Sequence, residues 1–354
     1  MIPRHFVVPA LALTVALVSA CGGVAVAPAT GTQQSVAARY AAVTSQSGSW
    51  MSPAAAKAQS LLYVSDLSQN VVNVYSYDDG KNMELMGSLA IPSPTGVCTD
   101  RDGHVWVGTL HPREVHEFDR GGTTQIFLIK LGFGGEPAGC AVDPKSGDLA
   151  LAVLKSDVKG AGHYGGVDVF HKGFNTGGFY TVPGGFYSIE FPAWDNSRHL
   201  FVAGQPCEYS YLCYYIPATA PGLFKLDKNA TQFVRVDLGR VTLDTPTGLA
   251  WINPSLLLAE SNQNGSGVAV GYKFVVTGRK ATLTQTIPFK NASSAGGIAE
   301  RAGIAIVADP QASAVRTYSI SNGDPIDAIL KGLDSPYAVA VSQATAKTRA
   351  GVSK

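Results

Sequence analysis

The chain has 354 residues, of which 15% are charged, against roughly 25% in an average soluble domain, and 39 are glycine. Twenty-seven Lys and Arg nearly balance 26 Asp and Glu, which removes the basic face that nucleic-acid binding requires. A hydrophobic share of 45% excludes disorder for the bulk of the chain, and the glycine excess points to a turn-rich globule.

In chain order, the first element is an address. Phe6 to Ala20 is apolar apart from Pro9, Thr14 and Ser19. As a helix it would measure about 22 Å, short of the roughly 30 Å hydrocarbon core. Residues 1–20 therefore read as an export signal peptide, not a spanning helix. The stretch Leu17-Val18-Ser19-Ala20-Cys21-Gly22 resembles the bacterial lipoprotein signal. That resemblance implies cleavage before Cys21, lipid on its thiol and, after N-acylation, the several chains that stable anchoring needs. The other reading is an ordinary secretory signal with an incidental cysteine. The expected location is the bacterial cell envelope, lipid-anchored and facing periplasm or exterior. Gly22 in place of aspartate favours the outer membrane in a Gram-negative host. Residues 21–59, rich in Ala, Ser, Thr, Gln, Gly and Pro, read as a flexible tether. Ser52 to Ala58 has the composition for one or two helical turns.

Residues 60–343 repeat one phrase: Pro-x-Gly, a short apolar strand, an acidic turn, a second apolar strand, a loop and an alternating third strand. It is clearest at Pro94-Thr95-Gly96 with His104-Val105-Trp106-Val107-Gly108, at Pro137-Ala138-Gly139 with Leu149 to Val153, and at Pro246-Thr247-Gly248 with Leu256 to Glu260. Degenerate copies begin at Ile189 and Ala295. The chain opens with half a unit, Leu62 to Asp66, and closes with the missing half, Pro336 to Val341. The offset predicts an all-β, six-bladed β-propeller closed by N- and C-terminal strands in one blade, since a ring of sheets leaves only short, protected edges. Seven blades is the structural alternative. Residues 344–354 are expected to form a disordered tail.

The phrase Tyr63-Val64-Ser65-Asp66-Leu67-Ser68-Gln69-Asn70-Val71-Val72-Asn73-Val74-Tyr75 resembles the NHL-type and SMP-30-like β-propellers. These motifs specify blades and leave function open, because the fold hosts hydrolases, lyases and binding modules.

The residues following the second strands align as Asp66, Thr109, Val153, Gly204, Glu260 and Asp309. Asp66, Glu260 and Asp309, with Asn70, Asn262 and Asn264 just downstream, form a candidate ligand or metal site. Oxygen donors of this kind suit Ca²⁺. The bland reading is that these carboxylates cap turns. Resemblance to SMP-30-type lactone hydrolases implies a related metal-binding mix of Glu, Asn and Asp at the channel mouth.

Export brings the cysteines into an oxidising compartment. Cys207 and Cys213 share one loop and are expected to pair. Cys98 and Cys140 lie one register apart on successive first strands, so alternation points them to different faces and free buried thiols are expected. His104 and His199 occupy equivalent turns and read as part of the repeat. Tyr209, Tyr211, Tyr214 and Tyr215 form a candidate aromatic binding loop for a glycan or protein partner; the alternative is an insertion folded on itself. No nucleophile elbow or phosphate loop stands in context. The sequence thus favours an extracytoplasmic binding module for a small molecule, glycan or protein over the alternative, a divalent-metal-dependent lactone or ester hydrolase. Blades two to four offer no further ligands at the aligned position.

Overall fold

The computed structural model describes residues 48–78, 81, 83–131, 135–154, 164–172, 175–207, 220–261, 268–329 and 332–344. The expected signal peptide with Cys21, most of the expected tether and the expected tail from residue 345 lie outside them. Six antiparallel sheets follow one another along the chain. Blade two is Pro94–Thr99, Val105–Thr109, Glu114–Phe118 and Gln125–Lys130, and blade three is Pro137–Val142, Leu149–Val153, Gly166–His171 and Asn175–Tyr180. Blade four is Phe186–Trp194, Leu200–Pro206, Gly222–Leu226 and Val234–Arg235. Blade five is Pro246–Ile252, Ser255–Glu260, Val270–Thr277 and Lys280–Pro288, and blade six is Ile298–Arg301, Ile304–Asp309, Ala314–Ser319 and Pro325–Ile329.

Blade one closes the ring. The C-terminal strand Pro336–Gln343 takes its innermost place and pairs with Ser60–Asp66, setting Val341 opposite Leu62 and Val339 opposite Val64. Val71–Ser76 and Leu85–Ala90 follow outward. The expected six blades and their closure are therefore present.

The core is distributed. Each of the six apolar clusters lies between two successive blades, as where Tyr63 and Val74 of blade one meet Val97, Val105 and Val107 of blade two. Second strands are covered on both faces, which explains why Leu149–Val153 and Ser255–Glu260 are buried throughout and read as nearly unbroken apolar runs.

Two expectations are corrected. The ring starts before residue 60: Trp50–Met51 adds a fifth strand outside Leu85–Ala90, with Trp50 opposite Ser88. The short helix anticipated near Ser52 to Ala58 is a 3₁₀ turn at Ala55–Lys57, and Ala55 is fully buried in the cluster between blades one and two. Arg120 of blade two donates to the Ala58 carbonyl at 2.7 Å. A two-residue strand carries no period, so composition alone assigned it to the tether.

The second correction concerns Cys98 and Cys140, which form a disulfide with Cα atoms 5.7 Å apart. Cys98 lies opposite Trp106 and Cys140 opposite Leu151. The one-register offset does place them on opposite faces of their own sheets. Stacked blades present opposite faces to each other, so the offset brings the sulfurs together. Among the described residues no helix is long and apolar enough to cross a membrane.

Candidate functional site

The Pro-x-Gly phrase has a steric cause at the axis. A Cβ on Gly96 would stand 2.6 Å from the Ala138 carbonyl oxygen of the next blade. The inner strands thus approach too closely for side chains at this level. Blade four breaks the phrase, carrying Ile189-Glu190-Phe191-Pro192 instead. There Ile189 pairs with Gly204 and Pro192 with Val202, so the inner strand keeps the one-residue bulge that blades one, two, three and five carry at this level. Such a bulge re-aims side chains. Phe191 fills the space that glycine leaves: a Cβ on Gly139 would lie 2.4 Å from its ring, and one on Gly297 3.0 Å. Its ring centroid is 5.6 Å from that of Tyr337.

Beside this plug, the Tyr337 hydroxyl donates to Glu190 Oε2 at 2.7 Å. Blades one and four are diametrically opposed, so the bond crosses the axis. Burial raises the Glu190 carboxyl above its ordinary value, partly offset by the tyrosine hydrogen bond. Burial, together with the facing carboxylate, holds Tyr337 well above the usual phenol range. The pair is thus a charge-assisted hydrogen bond from a tyrosine hydroxyl to a carboxylate at the axis, both half-buried. Beyond Phe191, toward the ends of the six inner strands, a cavity of about 270 Å³ is lined by every blade, including Cys98, Cys140, Trp194 and Trp251. Glu190 and Tyr337 do not line it.

The structure places the predicted carboxylates in another role. Asp66 is fully buried and accepts from the backbone N–H groups of Gln69, Asp334 and Ser335. Glu260 accepts from those of Asp244 and Thr245. Asp309 accepts from those of Ser293, Ser294 and Ala312, from the Ser294 hydroxyl and from Arg316 Nε at 3.2 Å. Each carboxylate fastens the loop that enters its own blade's inner strand. The three are not brought together as one ligand set. Asn70, in the left-handed region with φ 57°, accepts from Ser93 N–H at 2.7 Å and fixes the entry to blade two. Asn262, Asn264, Cys213 and Tyr209, Tyr211, Tyr214 and Tyr215 lie outside the described residues. Cys207 is disulfide-bonded.

The opposite rim carries the first turns. Asp100 and Asp195 each cap their turn and hold the ring of His104 and His199, at 3.0 and 2.7 Å, as the repeat implies. Hydrogen-bonding contact with Asp100, then with Glu117, pushes His104 up to about 10. In blade three Arg198 of the next blade binds Asp143 and Asp148 at 2.9 Å each.

Glu190 and Tyr337 escaped the sequence reading. The available signal was the one copy in which Glu-Phe replaces the x-Gly of the phrase.

With this geometry established, similarity to solved structures confirms the class: a six-bladed β-propeller. A chain from the crystal structure of a nidogen/laminin complex superposes with a TM-score of 0.64 at 12% identity, covering 81% of this chain and 99% of that one. A protein of unknown function from Bacteroides caccae gives 0.56 at 12% identity, covering 80% and 99%. At these identities the likeness is one of fold. No protein-family model matches the sequence, and no curated protein does so at a significant level.

Proposed function

We propose that the chain is a lipid-anchored, extracytoplasmic binding module that takes a hydroxyl-bearing ligand at the axial mouth on the Glu190–Tyr337 side. The Leu17 to Gly22 pattern supports the anchor at Cys21. The observation that carries the site is the Tyr337–Glu190 hydrogen bond across the axis. A carboxylate and a phenol stand there at a level where blades two and three have Thr95 and Ala138. The second strands end, and the third strands begin, at this same end of the ring, away from the cavity beyond Phe191. Binding is favoured over lactone hydrolysis because Asp66, Glu260 and Asp309 already accept the N–H groups of their own loops.

The test is a panel of soluble mono- and oligosaccharides and polyols followed by tyrosine and tryptophan fluorescence. Saturable binding that weakens at least ~10-fold in Glu190→Gln and Tyr337→Phe is expected. Ligands bound equally well by both variants would overturn the site. Partition of the full chain into detergent, lost in Cys21→Ser, checks the anchor.

A further inference from the structure

We propose that Asp100, His104 and Glu117 form a binding site for one divalent transition-metal ion of the zinc class, on the rim opposite the Glu190–Tyr337 mouth. Among the described residues these are the one group whose His and carboxylate ligand atoms all lie within 4.8 Å of one another. Asp100 uses Oδ1 to accept from the backbone N–H groups of Asp102 and His104, at 2.9 Å each, which leaves Oδ2 for the cluster. His104 Nδ1 stands 3.0 Å from that Oδ2 and 3.3 Å from Glu117 Oε1. An ion bonded at about 2.1 Å to each ligand sets neighbouring ligand atoms about 3.0 Å apart in octahedral and about 3.4 Å in tetrahedral geometry. The two spacings from His104 Nδ1 match those of a coordination shell, and Asp100 and Glu117 lie within 4.8 Å of each other.

A second observation comes from Glu117 itself. Its side chain is only 9% exposed, it is aimed at the cluster, and among the described residues no hydrogen bond reaches it beyond the 3.3 Å contact with His104 Nδ1. That nitrogen carries at most one proton and is already bonded to Asp100. One proton is shared between two carboxylates, and a buried carboxylate held by a single 3.3 Å contact is incompletely satisfied. A metal ion satisfies both. It would take the Nδ1 lone pair and leave the ring proton on Nε2, which faces Asp119 Oδ1 at 4.0 Å, as metal-bound histidines commonly face an outer carboxylate.

The ring provides its own comparison. In blade four, His199 contacts Asp195 and Asp227 as His104 contacts Asp100 and Asp119. At the place of Glu117 stands Lys225, whose Nζ lies 2.6 Å from Asp227. In blade three Arg198 supplies the cation. Blade two has the same turn as blade four, with a carboxylate where blade four has a lysine.

The experiment is a zinc chloride titration of the full chain, stripped with chelator and dialysed at pH 7, followed by calorimetry. One zinc per chain is expected, with a raised unfolding midpoint. Affinity should fall at least ~10-fold in Glu117→Gln. In Glu117→Lys this site should be lost while the zinc-free midpoint is kept, because blade four shows that the box accommodates lysine. Absence of zinc binding by the wild type, equal affinity in Glu117→Lys, or uptake of calcium with none of zinc would each overturn the proposal.

Discussion

Carboxylates cap turns through backbone N–H groups on both rims, but one rim also holds an acid that does not, Glu117. On one, Asp66, Glu260 and Asp309 direct their oxygens at backbone N–H groups of their own blade, and Arg316 adds charge to Asp309. On the other, Asp100, Glu117 and Asp119 surround one imidazole, and Glu117 has no backbone partner among the described residues. A carboxylate oxygen matched to loop amides is consumed in holding the fold. One left to side chains alone keeps the capacity to bind an ion. Position in a repeat therefore does not separate structural from functional acids; the donors around each oxygen do.

The largest effect that would break this contrast is expected at Asp309. Asp309→Ala leaves three backbone N–H groups and Arg316 without their acceptor in a fully buried setting. A loss of about 3–5 kcal/mol is expected in denaturant unfolding. A loss under about 1 kcal/mol would show that the loop amides find other acceptors.

Asp168 sharpens the contrast, being a carboxylate in neither arrangement. It is 8% exposed, accepts no hydrogen bond among the described residues, and burial raises it from 3.8 to about 6. A raised acid disfavours the charged folded form, so its cost is absent below about pH 4 and complete above about pH 6. The wild type should lose about 3 kcal/mol of stability across that window relative to Asp168→Asn. Parallel stability curves for the two proteins would remove the assignment.

The smallest effect is expected at His104, in buffer with chelator. Its folded-state value is raised from 6.5 to about 10, so its stabilising contribution is complete below 6.5 and is lost as pH rises through 10. With the side chain 34% exposed, solvent screening leaves about 1 kcal/mol or less. Thermal melts should show this decline in the wild type and none in His104→Gln. Zinc at pH 8 should reverse the ranking, stabilising only the wild type.

Much of the architecture was legible in the chain. The split unit, Leu62 to Asp66 at one end and Pro336 to Val341 at the other, announced the closing pair, because side-chain alternation and turn chemistry are local properties. The aligned Asp66, Glu260 and Asp309 were equally visible, and so was the reading that acids at this position cap turns. The axial pair was marked by the loss of glycine in the fourth copy, but a missing residue in a degenerate copy looks like drift until the ring shows what faces it.

The sequence by itself determined the bladed repeat, the strand that closes the ring and the acids of the turns, since each is written in spacing a few residues long; six rather than seven blades was settled by the structure. Only the tertiary structure decided which groups meet: Tyr337 with Glu190 across the axis, Cys98 with Cys140 between blades, Glu117 with a histidine already engaged. Those encounters depend on how opposite faces of successive sheets stack and how narrow the closed ring becomes, and no local pattern encodes either distance.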